Sequence, residues 1–270
     1  MSPEQREDPV AGSSRTLRVA ACQVTAGADP RDNLRVAADA IARAADAGAR
    51  LVVLPEAMMA RFGTRLADVA EPLDGPFADG LRESGARHAV TVVAGLFEPS
   101  DDGRVHNTLL LTGPGGEVSY RKIHLYDAFG SRESDTVAPG SALVTASVDG
   151  VLVGLATCYD VRFADQFTAL GRAGAQLVVL PASWGEGPGK AEQWDLLVRS
   201  RAMDAQAWLL ACDQAWTPPQ GADPLGIGRS ALVDPLGGVR GRLGHEPGEL
   251  TGEIDTALVA QVRARVPILG

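Results

Sequence analysis

Val151-Leu152-Val153-Gly154-Leu155-Ala156-Thr157-Cys158-Tyr159-Asp160-Val161-Arg162-Phe163 is the stretch from which the fold of this chain is read. Its opening residues are apolar and rich in Val and Leu, the pattern of a buried strand, and the residues from the thiol to Gly171 read as a helix. Cys158 therefore falls at a strand-to-helix junction. There the first N–H groups of the helix lack intrahelical partners and the positive end of its dipole faces the sulfur, which favours a thiolate and any developing oxyanion. A free cysteine is more often a small buried hydrophobe, so this stretch alone leaves both readings open.

Immediately upstream, residues 142–148 and 151–157 form a hairpin about Asp149-Gly150, a type I′ turn signal that fixes the register of the strand carrying the thiol. Downstream, Ala173-Gly174-Ala175-Gln176-Leu177-Val178-Val179-Leu180-Pro181 repeats the earlier Ala47-Gly48-Ala49-Arg50-Leu51-Val52-Val53-Leu54-Pro55. Each copy closes a helix with Gly and enters a buried strand. Any two helix-to-strand units share some of this, but the match is closer than that requires and points to two similar half-structures facing each other in one domain.

The first copy belongs to a strand–helix–strand start: a strand over residues 16–22, a helix opened by Asp29-Pro30 and ended at Gly48, and a strand over residues 51–54. Further elements are expected as a helix at 76–88, strands at 90–97, 108–111 and 118–120, a long helix at 190–206, strands at 208–212 and 249–254, a hairpin joining 229–233 to 239–243, and a terminal helix stopping before Pro267. Residues 1–15 are polar and irregular and are expected to be disordered, leaving 16–270 as a single α/β domain with no linker inside it.

The composition narrows the partners. A net charge of −9 with both signs interspersed offers no basic face for nucleic acid or anionic membrane. No apolar run reaches the roughly 18 residues of a membrane span, and no signal-peptide core precedes the domain, so a cytoplasmic location is expected. Three cysteines and four scattered histidines give neither a disulfide framework nor metal-ligand spacing. No metal is expected.

A cysteine nucleophile needs a base, oxyanion donors and groups that hold the substrate. His124, in Lys122-Ile123-His124-Leu125-Tyr126, keeps a papain-like cysteine–histidine pairing open. Carboxylates are better placed. Glu56 emerges from an apolar run and a proline at the C-terminal end of a strand, where open α/β sheets gather ligands, and a buried carboxylate there can shuttle protons. Lys122 ends another strand. Glu133 in Ser131-Arg132-Glu133-Ser134 taken alone looks like a surface loop acid.

Taken together, Leu54-Pro55-Glu56-Ala57, the segment from Tyr120 to Asp127 with Glu133 beyond it, and Thr157-Cys158-Tyr159-Asp160-Val161-Arg162-Phe163 closely resemble the nitrilase superfamily of carbon–nitrogen hydrolases. The resemblance continues through Pro181-Ala182-Ser183-Trp184, the helix bearing Trp194, Arg199 and Arg201, and Gly228-Arg229-Ser230 followed by Asp234-Pro235. It implies a four-layer αββα sandwich that assembles as a homodimer or higher homo-oligomer and uses no cofactor. It implies Cys158 as nucleophile, Glu56 as general base, Lys122 and the backbone N–H of Tyr159 as oxyanion donors, and Glu133 as the acid that places lysine and substrate. The wording nearest Lys122 and Glu133 is similar to ω-amidases and deaminated glutathione amidases, so the implied reaction is hydrolysis of a small aliphatic amide, with or without a carboxylate, through a thioester. Nitrile or N-carbamoyl hydrolysis, amide transfer, or a catalytically silent binding subunit are the alternatives. Arg162, Trp184, Arg61 and Arg132 are the candidate substrate-binding residues. Two features depart from the common pattern: the segment from Tyr126 to Glu133 is short, and Ala164-Asp165-Gln166 stands where Pro-Glu is usual.

Overall fold

The structure, a computed structural model, describes residues 15–218 and 226–270. Most of the segment expected to be disordered therefore lies outside the described residues. Arg15, its last member, is already tied down, its N–H donating to the Thr256 hydroxyl at 2.9 Å.

Two six-stranded sheets stack face to face. In the first, β1 (Thr16–Gln23), β2 (Leu51–Val53) and β3 (Thr91–Pro99) run parallel, and β4 (Val105–Gly113) and β5 (Gly116–Arg121) follow antiparallel. The second sheet runs in chain order: β6 (Thr145–Val148), β7 (Val151–Leu155), β8 (Leu177–Ala182), β9 (Trp208–Asp213), β10 (Ala231–Val233) and β11 (Val239–Arg242), with β7, β8 and β9 parallel. The C-terminal strand β12 (Gly248–Asp255) returns to the first sheet and pairs antiparallel with β1. Helices α1 (Pro30–Asp46) and α2 (Pro76–His88) cover the first sheet, and α3 (Ala164–Arg172) and α4 (Lys190–Ala205) the second, with α5 (Thr256–Arg265) closing the chain.

Strand periodicity makes the four layers. Leu51 and Val53 face the other sheet whereas Val52 and Leu54 face α1 and α2. Their counterparts in the repeated segment do the same: Leu177 and Val179 point between the sheets, Val178 and Leu180 toward α3 and α4. A strand buried on both sides has no polar face, which is why both copies are continuous apolar runs. Each copy supplies the middle strand of a parallel triplet, β2 in one sheet and β8 in the other, so the repetition marks two matching halves.

The Asp149-Gly150 turn is of the expected type, with both residues at positive φ, 47° and 79°. One expectation needs correction. No single helix runs from the thiol to Gly171: a five-residue 3-10 turn, Cys158–Arg162, breaks at Phe163 before α3 begins. Phe163 is extended (φ −104°, ψ 91°), so the dipole of α3 starts six residues beyond the sulfur.

Candidate active site

The residues of interest gather where the parallel strands of both sheets end. Glu56 lies three residues past β2 and is fully buried. The chain turns sharply behind it, Ala57 having φ +55°, and β3 makes room with Gly95. A Cβ on Gly95 would come within 2.5 Å of the Ala57 nitrogen and 2.8 Å of the Glu56 Cα. Lys122 follows β5 and is held by its own N–H, which donates to the Asn107 carbonyl of β4 at 2.8 Å. Cys158 follows β7 at φ +45°, a left-handed conformation unusual for a residue with a side chain. Asp160 fixes that turn. Its carboxylate accepts from the Thr157 N–H at 2.9 Å, the Tyr120 hydroxyl at 2.6 Å and the His124 N–H at 3.1 Å, so it ties the turn bearing the thiol to the strand bearing Lys122.

Lys122 joins the two carboxylates. Its ammonium, 2% exposed, donates to Glu56 Oε1 at 3.0 Å and to both oxygens of Glu133 at 3.2 and 3.0 Å. Glu133 lies on a 3-10 turn, Glu133–Asp135, and also accepts the Tyr126 N–H at 2.6 Å. The short segment between Tyr126 and Glu133 thus folds back on itself and brings the acid inward, where sequence alone suggested a surface loop. Asn107, unnoticed in the sequence, donates to Glu56 at 2.7 Å and to Glu133 at 3.2 Å. The second Glu56 oxygen accepts the Ser183 N–H at 2.9 Å. Donors on both oxygens leave the carboxylate one orientation.

The strand-to-helix junction favours a thiolate, but the electrostatics of the packed site oppose it. Burial and the neighbouring Glu56 charge push the Cys158 thiol well above its usual range, and Lys122 and the Ser183 N–H only partly oppose them. The sulfur is therefore a neutral thiol that needs a base. For Lys122, burial pulls the ammonium down, but the Glu133 and Glu56 carboxylates outweigh it and hold the group well above the ordinary lysine value. It stays a cation throughout the neutral range.

Cys158, Glu56, Lys122 and Glu133 stand on the wall of one cavity of about 700 Å³, together with Tyr159 and Trp184. No histidine lines it. His124 instead stacks on Phe163, ring centroids 3.6 Å apart, with Nδ1 on Asp160 and Gln166, so the cysteine–histidine pairing is set aside. Of the three arginines singled out, Arg132 reaches the cavity rim, its side chain 71% exposed, and Arg61 does not line it. Arg162 lies behind the wall, donating to Gln193 at 2.7 Å and stacked 4.9 Å from the Trp184 ring. The cation that sequence reasoning missed is Lys190, at the start of α4 and facing the cavity. Among the described residues no group of three or more His, Cys, Asp or Glu could hold a metal ion, and no helix is long and apolar enough to cross a membrane.

The chain is similar to known proteins over most of its length. The profile of the carbon–nitrogen hydrolase family matches residues 18–264. A hydrolase of Mycobacterium tuberculosis is 47% identical over 264 residues, covering 94% of each chain. The deaminated glutathione amidase of Escherichia coli O157:H7 is 35% identical over 259 residues, covering 94% of this chain and 96% of its own. Among solved structures, Saccharomyces cerevisiae Nit3, described as a member of branch 10 of the nitrilase superfamily, superposes with a TM-score of 0.82 at 27% identity, covering 94% of this chain and 95% of its own.

Proposed function

Since the chain belongs to the carbon–nitrogen hydrolase family, we propose that it is an amidase that hydrolyses a small aliphatic amide to the acid and ammonia through a thioester on Cys158. The observation that carries this reading is the convergence of Cys158, Glu56, Lys122 and Glu133 in one cavity, with Lys122 bonded to both acids. The similarity to an enzyme named as an amidase favours amides over nitriles and N-carbamoyl compounds.

The chemistry follows from the charges. A thiol held in its neutral form reacts only as its proton leaves, so Glu56 takes that proton while the sulfur bonds to the amide carbon. The carbonyl oxygen becomes an oxyanion, stabilised by the Lys122 ammonium and the Tyr159 N–H. Glu56 returns the proton to the amide nitrogen, the C–N bond breaks, and ammonia departs. Water, deprotonated by Glu56, then attacks the thioester, the C–S bond breaks, and the proton held on Glu56 restores the thiol. Glu133 and Asn107 keep Lys122 and Glu56 in place through both halves. A homodimer is part of the proposal, supported by the exposed Leu196 and Met203 two turns apart on α4 and Leu236 nearby.

The test is ammonia release from a panel of aliphatic amides, nitriles and N-carbamoyl amino acids, with intact-mass analysis after rapid acid quench. An acyl adduct on wild type, absent from Cys158→Ala, is expected with amides. Release confined to nitriles or N-carbamoyl compounds would refute the amidase reading.

A further inference from the structure

The cations on the cavity wall are not equivalent. Lys122 is matched by two carboxylates, and Arg132 stands largely in solvent 3.4 Å from Asp135. Lys190 is 9% exposed and, among the described residues, pairs with no carboxylate. Its ammonium donates to the Tyr126 hydroxyl at 3.2 Å and lies over three rings, 4.5 Å from the centroid of Phe129, 5.1 Å from Tyr126 and 5.2 Å from Trp184. Aromatic faces hold a desolvated cation in place, but an ammonium has three N–H donors and the hydroxyl uses one.

The position is otherwise a poor one for a cation. Lys190 is the first residue of α4, a sixteen-residue helix whose N-terminal end carries the positive pole of its dipole. Burial, with the nearby Arg162 charge added, pushes the Lys190 ammonium below its ordinary value. The rings and the hydroxyl hold the ammonium but supply no counter-charge. An anion in the cavity would relieve the missing counter-charge, the dipole and the Arg162 repulsion together. A second group on the same wall is also unmatched: the Ser183 hydroxyl is buried with no hydrogen-bond partner, beside the N–H that holds Glu56.

We propose that Lys190 is the residue that selects the substrate: it binds a carboxylate carried by the amide, while the amide carbonyl sits at Cys158 and the Ser183 hydroxyl bonds a polar atom between them. This rests on the amidase reading above. Arg162 contributes charge from behind and braces Trp184 and Gln193 without touching substrate. The rings of Tyr126, Phe129 and Trp184 aim the ammonium into the cavity, so the two ends of a short ω-amide are read by groups 32 positions apart in the chain, Cys158 and Lys190.

The experiment measures calorimetric binding of succinamate, glutaramate and the neutral butyramide to the Cys158→Ala protein, and repeats it with Lys190→Met, Lys190→Gln and Lys190→Arg added. Met and Gln should weaken the better acidic ligand by roughly tenfold to a hundredfold, the scale of one hydrogen-bonded charge, and Arg should recover much of it. In proteins retaining Cys158 the loss should appear in KM more than in kcat, because a remote contact is made equally in ground and transition states. Acidic-ligand binding that is absent, or unchanged by both Met and Gln, would overturn the proposal whether or not wild type releases ammonia. Binding that depends on Lys190 without ammonia release would support it and sink the amidase reading instead.

Discussion

Replacing Lys122 by Met removes the single cation between two buried acids and leaves the shape of its side chain nearly intact. Glu56 Oε1 and Glu133 Oε1 both contact the Asn107 amide nitrogen, at 2.7 and 3.2 Å, so they lie no more than about 6 Å from each other. With an effective dielectric of about 20, two negative charges at that separation repel by about 3 kcal/mol, within the roughly 3–5 kcal/mol expected when one partner of a buried ion pair is deleted. Wild type should show no such penalty. Its Lys122 is raised above the unfolded value, so its contribution is complete below about pH 10.4 and is lost only as pH rises through the still higher folded value. In the variant the two carboxylates no longer have a cation between them. Urea unfolding at neutral pH should therefore show the variant less stable than wild type by about 3 kcal/mol. Loss of an oxyanion donor should also lower kcat by roughly two to three orders of magnitude. A variant as stable as wild type, or one with normal kcat, would refute the placement of Lys122 between the acids as the centre of the site.

Iodoacetamide should modify Cys158 alone in the folded protein. Cys158 borders the cavity, where the reagent can reach it, whereas Cys22 and Cys212 are fully buried; equal labelling of all three, read by peptide mass, would contradict this. Gly95→Ala should cost about 1–3 kcal/mol in a thermal or urea melt and lower kcat further than that loss accounts for, since the new Cβ would press on the backbone of Glu56 and Ala57; an unaffected kcat would show that the carboxylate tolerates the shift. Leu196→Lys should lower the sedimenting mass if α4 lies in a homodimer interface, and an unchanged assembly would place the contact elsewhere.

Much of this protein is written locally. The continuous apolar runs at Leu51–Val53 and Leu177–Ala182 declare strands buried on both faces, Asp29-Pro30 starts α1, and Asp149-Gly150 sets the β6–β7 register. Each signal depends on residues a few positions apart, so the chain alone carries it. The family resemblance then named Glu56, Lys122, Glu133 and Cys158, and the structure brings all four together. What the sequence could not supply is proximity. Asn107 reads as one polar residue in an apolar strand until its amide meets Glu56, 51 positions away. Lys190 reads as the first residue of a helix until Tyr126, Phe129 and Trp184 close around it. Arg162, four positions beyond the thiol, was a candidate because nearness in sequence stood in for nearness in space. Its guanidinium lies instead against Trp184 and Gln193, behind the cavity wall. The protonation state of Cys158 also depends on packing. A helix start predicted from the local pattern favours a thiolate, but burial and the Glu56 charge, both consequences of packing one sheet against the other, decide the matter in favour of the thiol.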